Sequence, residues 1–181
     1  MADFKNAIQY LLMNEGGYVN DLSDKGGATN YGISLRLLHA LGEFGDFDGD
    51  GDIDKDDIRS MTLENARTIY RKSFWDLSSY DLINDDLLAA KVFDFSVNMG
   101  TKRAHILLQK SANQEAKENL LLLDGILGSN TITVINKQNP NSLIRLLASN
   151  VAAYYLSIVE KDFSQVKFLK GWLNRAYKNV F

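Results

Sequence analysis

Between residues 46 and 57 the chain reads Asp-Phe-Asp-Gly-Asp-Gly-Asp-Ile-Asp-Lys-Asp-Asp, seven acids and one base in twelve positions. A helix or strand packed into a core does not tolerate that density of like charge, because neighbouring carboxylates repel. The stretch must therefore be a solvated loop or a loop wrapped round a cation. The rest of the chain holds sixteen acids and nineteen bases, so the formal net charge of -3 hides one acidic locus in an otherwise mildly basic protein.

The spacing of the locus favours the cation. Asp46, Asp48 and Asp50 stand at positions one, three and five of a twelve-residue EF-hand calcium loop. Gly51 takes position six, where the turn is sharp. Asp52 offers its backbone carbonyl at seven, Ile53 is the apolar eighth residue, Asp54 is ninth and Asp57 twelfth. A hard cation takes six to eight oxygens, and alternate residues of a tight loop supply them. The bidentate residue at twelve is usually Glu, and here it is the shorter Asp57; dockerin-like loops share this feature. The flanking helices, Leu35–Leu41 and Asp57–Ser60, are short. A structural calcium loop is expected, not a sensor that opens a groove.

Composition narrows the class. At 181 residues, 45% hydrophobic and 24% charged, the chain is long and apolar enough for one core without crosslinks. It has no cysteine, which excludes disulfides, thiol catalysis and thiolate metal sites. Only His39 and His105 are present, which argues against a multi-histidine site and for ordinary surface or packing roles. No apolar run approaches the roughly 18 residues of a membrane span, and the N-terminus MADFKNAIQYLLMNEGG lacks the pattern of a signal peptide. The chain is expected to be made in the cytoplasm. The surplus Lys and Arg are thinly spread, and no motif supports nucleic-acid binding.

Hydrophobic periodicity predicts helices almost throughout. Phe4, Ile8, Leu11 and Leu12 share one face, with Gly16 placed to close the helix. Residues 17–33 are rich in Gly, Asn and Asp and predict a loop or a small irregular β-hairpin. Ser34 caps Leu35–Leu41, closed by Gly42, and Thr62 caps a helix bearing Leu63, Ala66, Ile69 and Tyr70. Asp85 opens a long apolar helix through Leu88, Val92, Phe95 and Met99, ending at Gly100, and Thr101 caps the next. Asn139-Pro140 starts a long helix with Leu143, Leu147, Val151, Tyr154, Tyr155 and Ile158 on one face. Phe168, Leu169, Trp172, Leu173 and Ala176 make the last. Strand–helix alternation is missing, so the expected class is all-α with a small irregular β-hairpin.

The stretch Glu15-Gly-Gly-Tyr18, followed by Asp21, Asp24 and Thr29-Asn30-Tyr31-Gly32-Ile33, bears the most chemistry. A glutamate at a helix end facing a glycine-rich turn is open to partial burial, which raises its pKa as a general acid needs. Aspartates follow six and nine residues later. Two carboxylates across a cleft are the minimal apparatus of glycoside hydrolysis, although surface charges beside a turn give the same spacing.

The run from Glu15 to Ile33 closely resembles the signature of glycoside hydrolase family 108, the EGGY-type N-acetylmuramidases of phage endolysins and bacterial genomes. Similar patches follow in order along nearly the whole chain. They are Ile69-Tyr70 with Phe74-Trp75, Asp94-Phe-Ser-Val-Asn98-Met-Gly100, Leu108-Gln109, Asp124-Gly-Ile-Leu-Gly128 with Thr131, and Phe168-Leu-Lys-Gly-Trp172-Leu-Asn-Arg175. Residues 43–60 look like an insertion carrying the calcium loop, and 120–181 resembles a peptidoglycan-binding segment. Leu22 and Ser129 stand where the family often has proline.

The resemblance implies a lysozyme-like fold of two lobes around a cleft that holds a peptidoglycan glycan strand, with a long helix from about Asp85 joining the lobes. It implies a monomer that hydrolyses the bond between N-acetylmuramic acid and N-acetylglucosamine. The acidic loop adds the expectation of a structural Ca2+, and the N-terminal pattern fits a phage enzyme released to the wall by a holin or a cytoplasmically made bacterial enzyme. Glu15 falls on the family's proposed acid. Asp24 is the expected second carboxylate, Asp21 its reserve, and Thr29 the residue that positions water. Tyr18, Asn30, Tyr31 and Asn98 are candidate sugar contacts, or alternatively packing and capping residues. Trp75 and Trp172 are expected in the core, and Asp94 either in the cleft or in a pair. A lytic transglycosylase and a non-catalytic wall-binding or secretion-associated module remain as alternatives, and retention versus inversion stays open.

Overall fold

Side-chain caps and apolar spacing account for where the helices begin and end. The computed structural model describes residues 1–14 and 29–180. Helix α1 is Phe4–Leu12; Gly16, expected to close it, lies outside the described residues. Ser34 caps α2 (Leu35–Leu41) by accepting the Leu37 N–H, and Gly42 ends it at φ +61. The acidic stretch leads to α3 (Lys55–Ser60). Then Thr62 and Asn65 form a reciprocal capping box on α4 (Leu63–Tyr70). Asp85 caps α5 (Asp86–Met99). Thr101 does not cap α6 (Thr101–Ala116): it is the first helical residue, and Gly100 at φ +89 takes the cap position. One glycine thus ends α5 and starts α6, leaving no residue between them for a side-chain cap. Helix α7 is Ser129–Asn136, and Asn139-Pro140 opens α8 (Pro140–Lys161), followed by α9 (Val166–Tyr177).

The chain divides into two compact units, one of residues 1–7 with 74–181 and the other of residues 8–73. The chain crosses between them within α1 and within a π-helical turn, Arg71–Trp75. Helix α5, expected to join two lobes, lies wholly inside the first unit. Its residues explain this: Leu88–Ser96 are all buried, and a helix buried on every side belongs in the middle of a core.

In that first unit, Phe4, Trp75, Tyr80 and Phe93 form an aromatic cluster with edge-to-face or tilted centroid distances of 5.4–6.1 Å. Helices α5, α6, α8 and α9 pack on one another. Helix α8 is long and apolar enough to cross a membrane by length and composition. Nine of its residues, including Leu143, Leu147 and Val151, are instead buried in this bundle. Lys91, fully buried on α5, donates from Nζ to the carbonyls of Ala176 and Lys178, 3.0 Å each, and so closes the C-terminal end of α9. Burial pulls its pKa down to about 8, against the opposing pull of Asp94.

The second unit contains an antiparallel hairpin of β1 (Thr29–Asn30) and β2 (Ile33–Ser34), paired Thr29 with Ser34 and Asn30 with Ile33. Tyr31 at φ +51 and Gly32 at φ +78 turn it, the two positive φ values of a type I′ turn. A tyrosine there is strained by roughly 1–2 kcal/mol. The Tyr70 hydroxyl on α4 holds it by donating to the Tyr31 carbonyl at 2.8 Å.

Candidate functional site

Glu15, Tyr18, Asp21 and Asp24 lie outside the described residues. Thr29, Asn30 and Tyr31 sit on the hairpin that follows them. Asn30 is buried, and its Nδ2 donates to the Ile58 carbonyl at 3.0 Å and lies 3.5 Å from that of Met61. The amide expected to read a sugar is thus turned to the protein's own backbone and fastens the hairpin to α3. Tyr31 and Thr29 are partly exposed, with Tyr31 at the turn.

The acidic loop is organised by its own amides. Asp46 accepts the N–H groups of Gly49 at 2.7 Å and Gly51 at 3.1 Å. Asp48 accepts that of Asp50, and Asp50 that of Asp52. Gly51 has φ +94, the conformation that the sixth loop position demands, and Gly49 at the fourth has φ +79. Carboxylate oxygens of Asp46, Asp48 and Asp50 lie within 4.8 Å of one another, as do those of Asp52, Asp54 and Asp57. Such crowding is unfavourable unless positive charge relieves it. Desolvation first, and then the charges of Asp50, Asp57 and Asp46, raise the Asp48 pKa against the Asp50 N–H. Repulsion from Asp50 comes first in raising Asp52. The donors are all hard oxygens, which fits calcium.

Asp57 plays a second part that its place at the twelfth position does not reveal. It is 1% exposed. Its Oδ1 accepts Phe47 N at 2.6 Å and Asp48 N at 3.3 Å, and its Oδ2 accepts Asp54 N at 2.7 Å. Burial opposes its ionisation, but these N–H bonds win and its pKa falls. The residue therefore ties the loop's entrance to its exit and completes a capping box with Asp54 on α3. The signal was legible as an acid three residues after an acidic N-cap.

In the other unit, Asn98 is exposed near the end of α5, and its Oδ1 accepts the Tyr155 hydroxyl at 2.7 Å. Trp75 is core, as expected; Trp172 is only half-buried. Asp94 pairs at 3.9 Å with Arg175 inside the unit. His39 is exposed. His105 is buried, Nε2 3.0 Å from the Tyr80 hydroxyl and Nδ1 3.0 Å from the Gly125 carbonyl; burial lowers its pKa. Gln109 gathers the segment after α6. It donates to Asp124 at 2.8 Å and to the Ile126 carbonyl at 3.1 Å, and accepts Gly125 N at 2.9 Å. The Gln109 bond comes first in lowering the Asp124 pKa. Gly125 has φ +79, and a Cβ there would meet Lys102 Cγ at 2.7 Å, so only glycine fits.

These helices and the one small hairpin define a helix-rich, lysozyme-like fold. A solved structure described as "Structure of Brucella abortus SagA" is similar to 96% of this chain and 88% of its own, at 28% identity and a TM-score of 0.74. A search of curated proteins finds no match. Residues 8–100 match the family described as Glycosyl hydrolase 108, and residues 103–177 match "Predicted Peptidoglycan domain". The chain belongs to the glycosyl hydrolase 108 family and is a glycoside hydrolase acting on peptidoglycan. The second match begins at residue 103. It takes in α6, which packs on α8.

Proposed function

We propose that the chain is an N-acetylmuramidase that cleaves the β-1,4 bond between N-acetylmuramic acid and N-acetylglucosamine with Glu15 as general acid. The observation that carries this is the glycosyl hydrolase 108 match over residues 8–100, which contains the whole Glu15–Ile33 stretch. Glu15 gives its proton to the glycosidic oxygen as the bond to the anomeric carbon breaks. Positive charge develops on that carbon and its ring oxygen, and the Asp24 carboxylate stabilises it. Water held by Asp24 and Thr29 attacks the carbon and passes its proton to a carboxylate, Asp24 where the centre inverts or the now ionised Glu15 where it is retained. Tyr18 and Tyr31 supply rings for sugar stacking.

Glu15→Gln keeps the shape and removes the proton. It should reduce clearing of purified wall by roughly 10²–10⁴ with an unchanged melting temperature. A folded Glu15→Gln protein of near-normal activity overturns the assignment. Asp24→Asn should also slow lysis; a silent Asp24→Asn with a crippling Asp21→Asn moves the second carboxylate to Asp21.

Calcium is the second part of the reading, and the loop's donor set and crowded carboxylates support it. Asp46, Asp48, Asp50, Asp57 and the Asp52 carbonyl would hold the ion. Bound there, it would offset two of the loop's negative charges and relieve the crowding of its carboxylates. It takes no part in the hydrolysis, which two carboxylates complete without it.

A further inference from the structure

Helix α9 is the least covered of the long helices. Of its twelve residues only Ala176 is buried, whereas α8 buries nine. Val166 and Phe168 are 41% and 46% exposed, and Leu169, Trp172 and Leu173 are half-buried. An amphipathic helix normally hides such a stripe. The same helix carries Lys167, Lys170 and Arg175 and no acid.

The aromatic rings on this face form a connected row. Trp172 stacks on Tyr155 at 5.2 Å and 20°, and Phe168 lies 5.7 Å from Trp172 at 30°. Tyr155 itself is buried, so the row runs from an anchored ring to exposed ones. Tyr154 sits 6.0 Å from Tyr155 with the exposed Arg103 guanidinium 5.1 Å from its ring centre. The Lys167 ammonium lies 4.8 Å from the centre of Phe168. At the polar end of Tyr155, its hydroxyl occupies the oxygen of Asn98. That leaves the exposed amide with its two N–H donors, which meet no acceptor among the described residues. Asn98 lies in the glycosyl hydrolase match and Tyr155 in the peptidoglycan match, so this bond joins the two segments.

We infer that Phe168, Trp172 and Asn98, with Lys167 and Arg103, form a binding surface for a carboxylated N-acetyl amino sugar, which in peptidoglycan is N-acetylmuramic acid. The inference rests on the reading of the chain as a wall hydrolase and adds where the glycan is gripped. The elements lie along a row, and each answers one part of a glycan strand that carries that sugar. Exposed rings take the apolar face of a pyranose. A donor-only amide takes the acetyl carbonyl. The cations take the lactyl carboxylate. A neutral chitin-type sugar leaves the cations idle, and a stem peptide leaves the rings idle.

The probe is the disaccharide N-acetylglucosaminyl-N-acetylmuramic acid, which lacks the bond that the enzyme cuts. Its binding is followed by the Trp172 indole N–H resonance of the full chain, against chitobiose as the neutral analogue. The disaccharide should bind several-fold more tightly than chitobiose and shift Trp172. Phe168→Ala and Asn98→Asp should each weaken it roughly tenfold, the equivalent of about 1.4 kcal/mol. Lys167→Gln with Arg103→Gln should erase the preference over chitobiose. All four changes are at exposed positions, and each variant should melt where the parent does. Unchanged disaccharide affinity in Phe168→Ala and Asn98→Asp overturns the inference, as does equal binding of the two sugars or displacement of the disaccharide by a stem peptide alone. Any of these results alongside Glu15-dependent lysis defeats this inference alone. Lysis that survives Glu15→Gln defeats the catalytic reading alone.

Discussion

The two units both bury apolar side chains but differ in what is added to that burial. In residues 74–181, α5 and α8 bury nine residues each, and aromatic rings lock edge to face around Trp75 and Phe93. In residues 8–73, Leu11, Ile33, Leu38 and Ile58 are buried too, but the acidic loop and the hairpin lean on polar bonds: carboxylates capped by amides, Asn30 on the Ile58 carbonyl, Tyr70 on the Tyr31 carbonyl. Apolar burial is non-directional and insensitive to ions. A loop of six carboxylates gathered in two groups of three has no such independence. The contrast says that the acidic loop answers to the ions in its solvent more than the bundle does.

The largest effect should come from the bundle. Phe93→Ala removes a fully buried ring from the aromatic cluster and should cost about 3–5 kcal/mol, measured by denaturant unfolding. The loss should be the same with and without calcium; a calcium-dependent loss breaks the division between the units.

Next is Lys91, a charge sunk in the bundle together with Asp94. Its folded pKa of about 8 lies below the ordinary 10.5. Between those values the unfolded chain holds more proton, so stability from this group rises with pH. The neutral amine still has two N–H groups for the carbonyls of Ala176 and Lys178. Between pH 8 and 10.5 the wild type should gain on Lys91→Met by something on the order of 3 kcal/mol. A constant gap contradicts the burial argument.

In the other unit, calcium at a hundred times its Kd should add about 2.7 kcal/mol. That raises the melting temperature by very roughly 5–10 °C for a chain this size. Chelation should reverse the gain, and Asp46→Ala with Asp50→Ala should abolish it. No thermal shift would make the loop a solvated acidic turn. A chelated enzyme that stays folded but inactive until calcium returns would put the metal in the reaction.

The smallest effect is local. Tyr70→Phe keeps the ring and removes the bond to the Tyr31 carbonyl, which should cost about 1 kcal/mol. The loss should show as faster amide exchange at Gly32 and Ile33 beyond the global change; an unaltered hairpin would mean that the turn holds itself.

The same contrast decides what could be read from sequence. The bundle's helices were legible because caps and apolar spacing are local: Asp85 and Asn139-Pro140 start helices where their chemistry says they should. Thr101 misled because a preceding glycine at positive φ removed the position that it would have capped. Lys91 gave no local signal, since its acceptors lie 85 and 87 residues away. The dispersed family patches became intelligible only when Gln109 was seen to gather Asp124, Gly125 and Ile126. The acidic loop was legible as a motif, but the burial of Asp57 was not, because burial is a property of what packs over it. Asn30 likewise carried no mark of its partner on α3.

The central claim is hydrolysis at N-acetylmuramic acid, and the ends of the released fragments test it most directly. Purified peptidoglycan is digested to completion, and the fragments are reduced and weighed by mass spectrometry. The account predicts fragments that end in reducible N-acetylmuramic acid, with one water added per bond cut. Anhydro ends would replace water by the sugar's own hydroxyl and make the enzyme a transglycosylase; reducible N-acetylglucosamine ends would place the cut on the other bond.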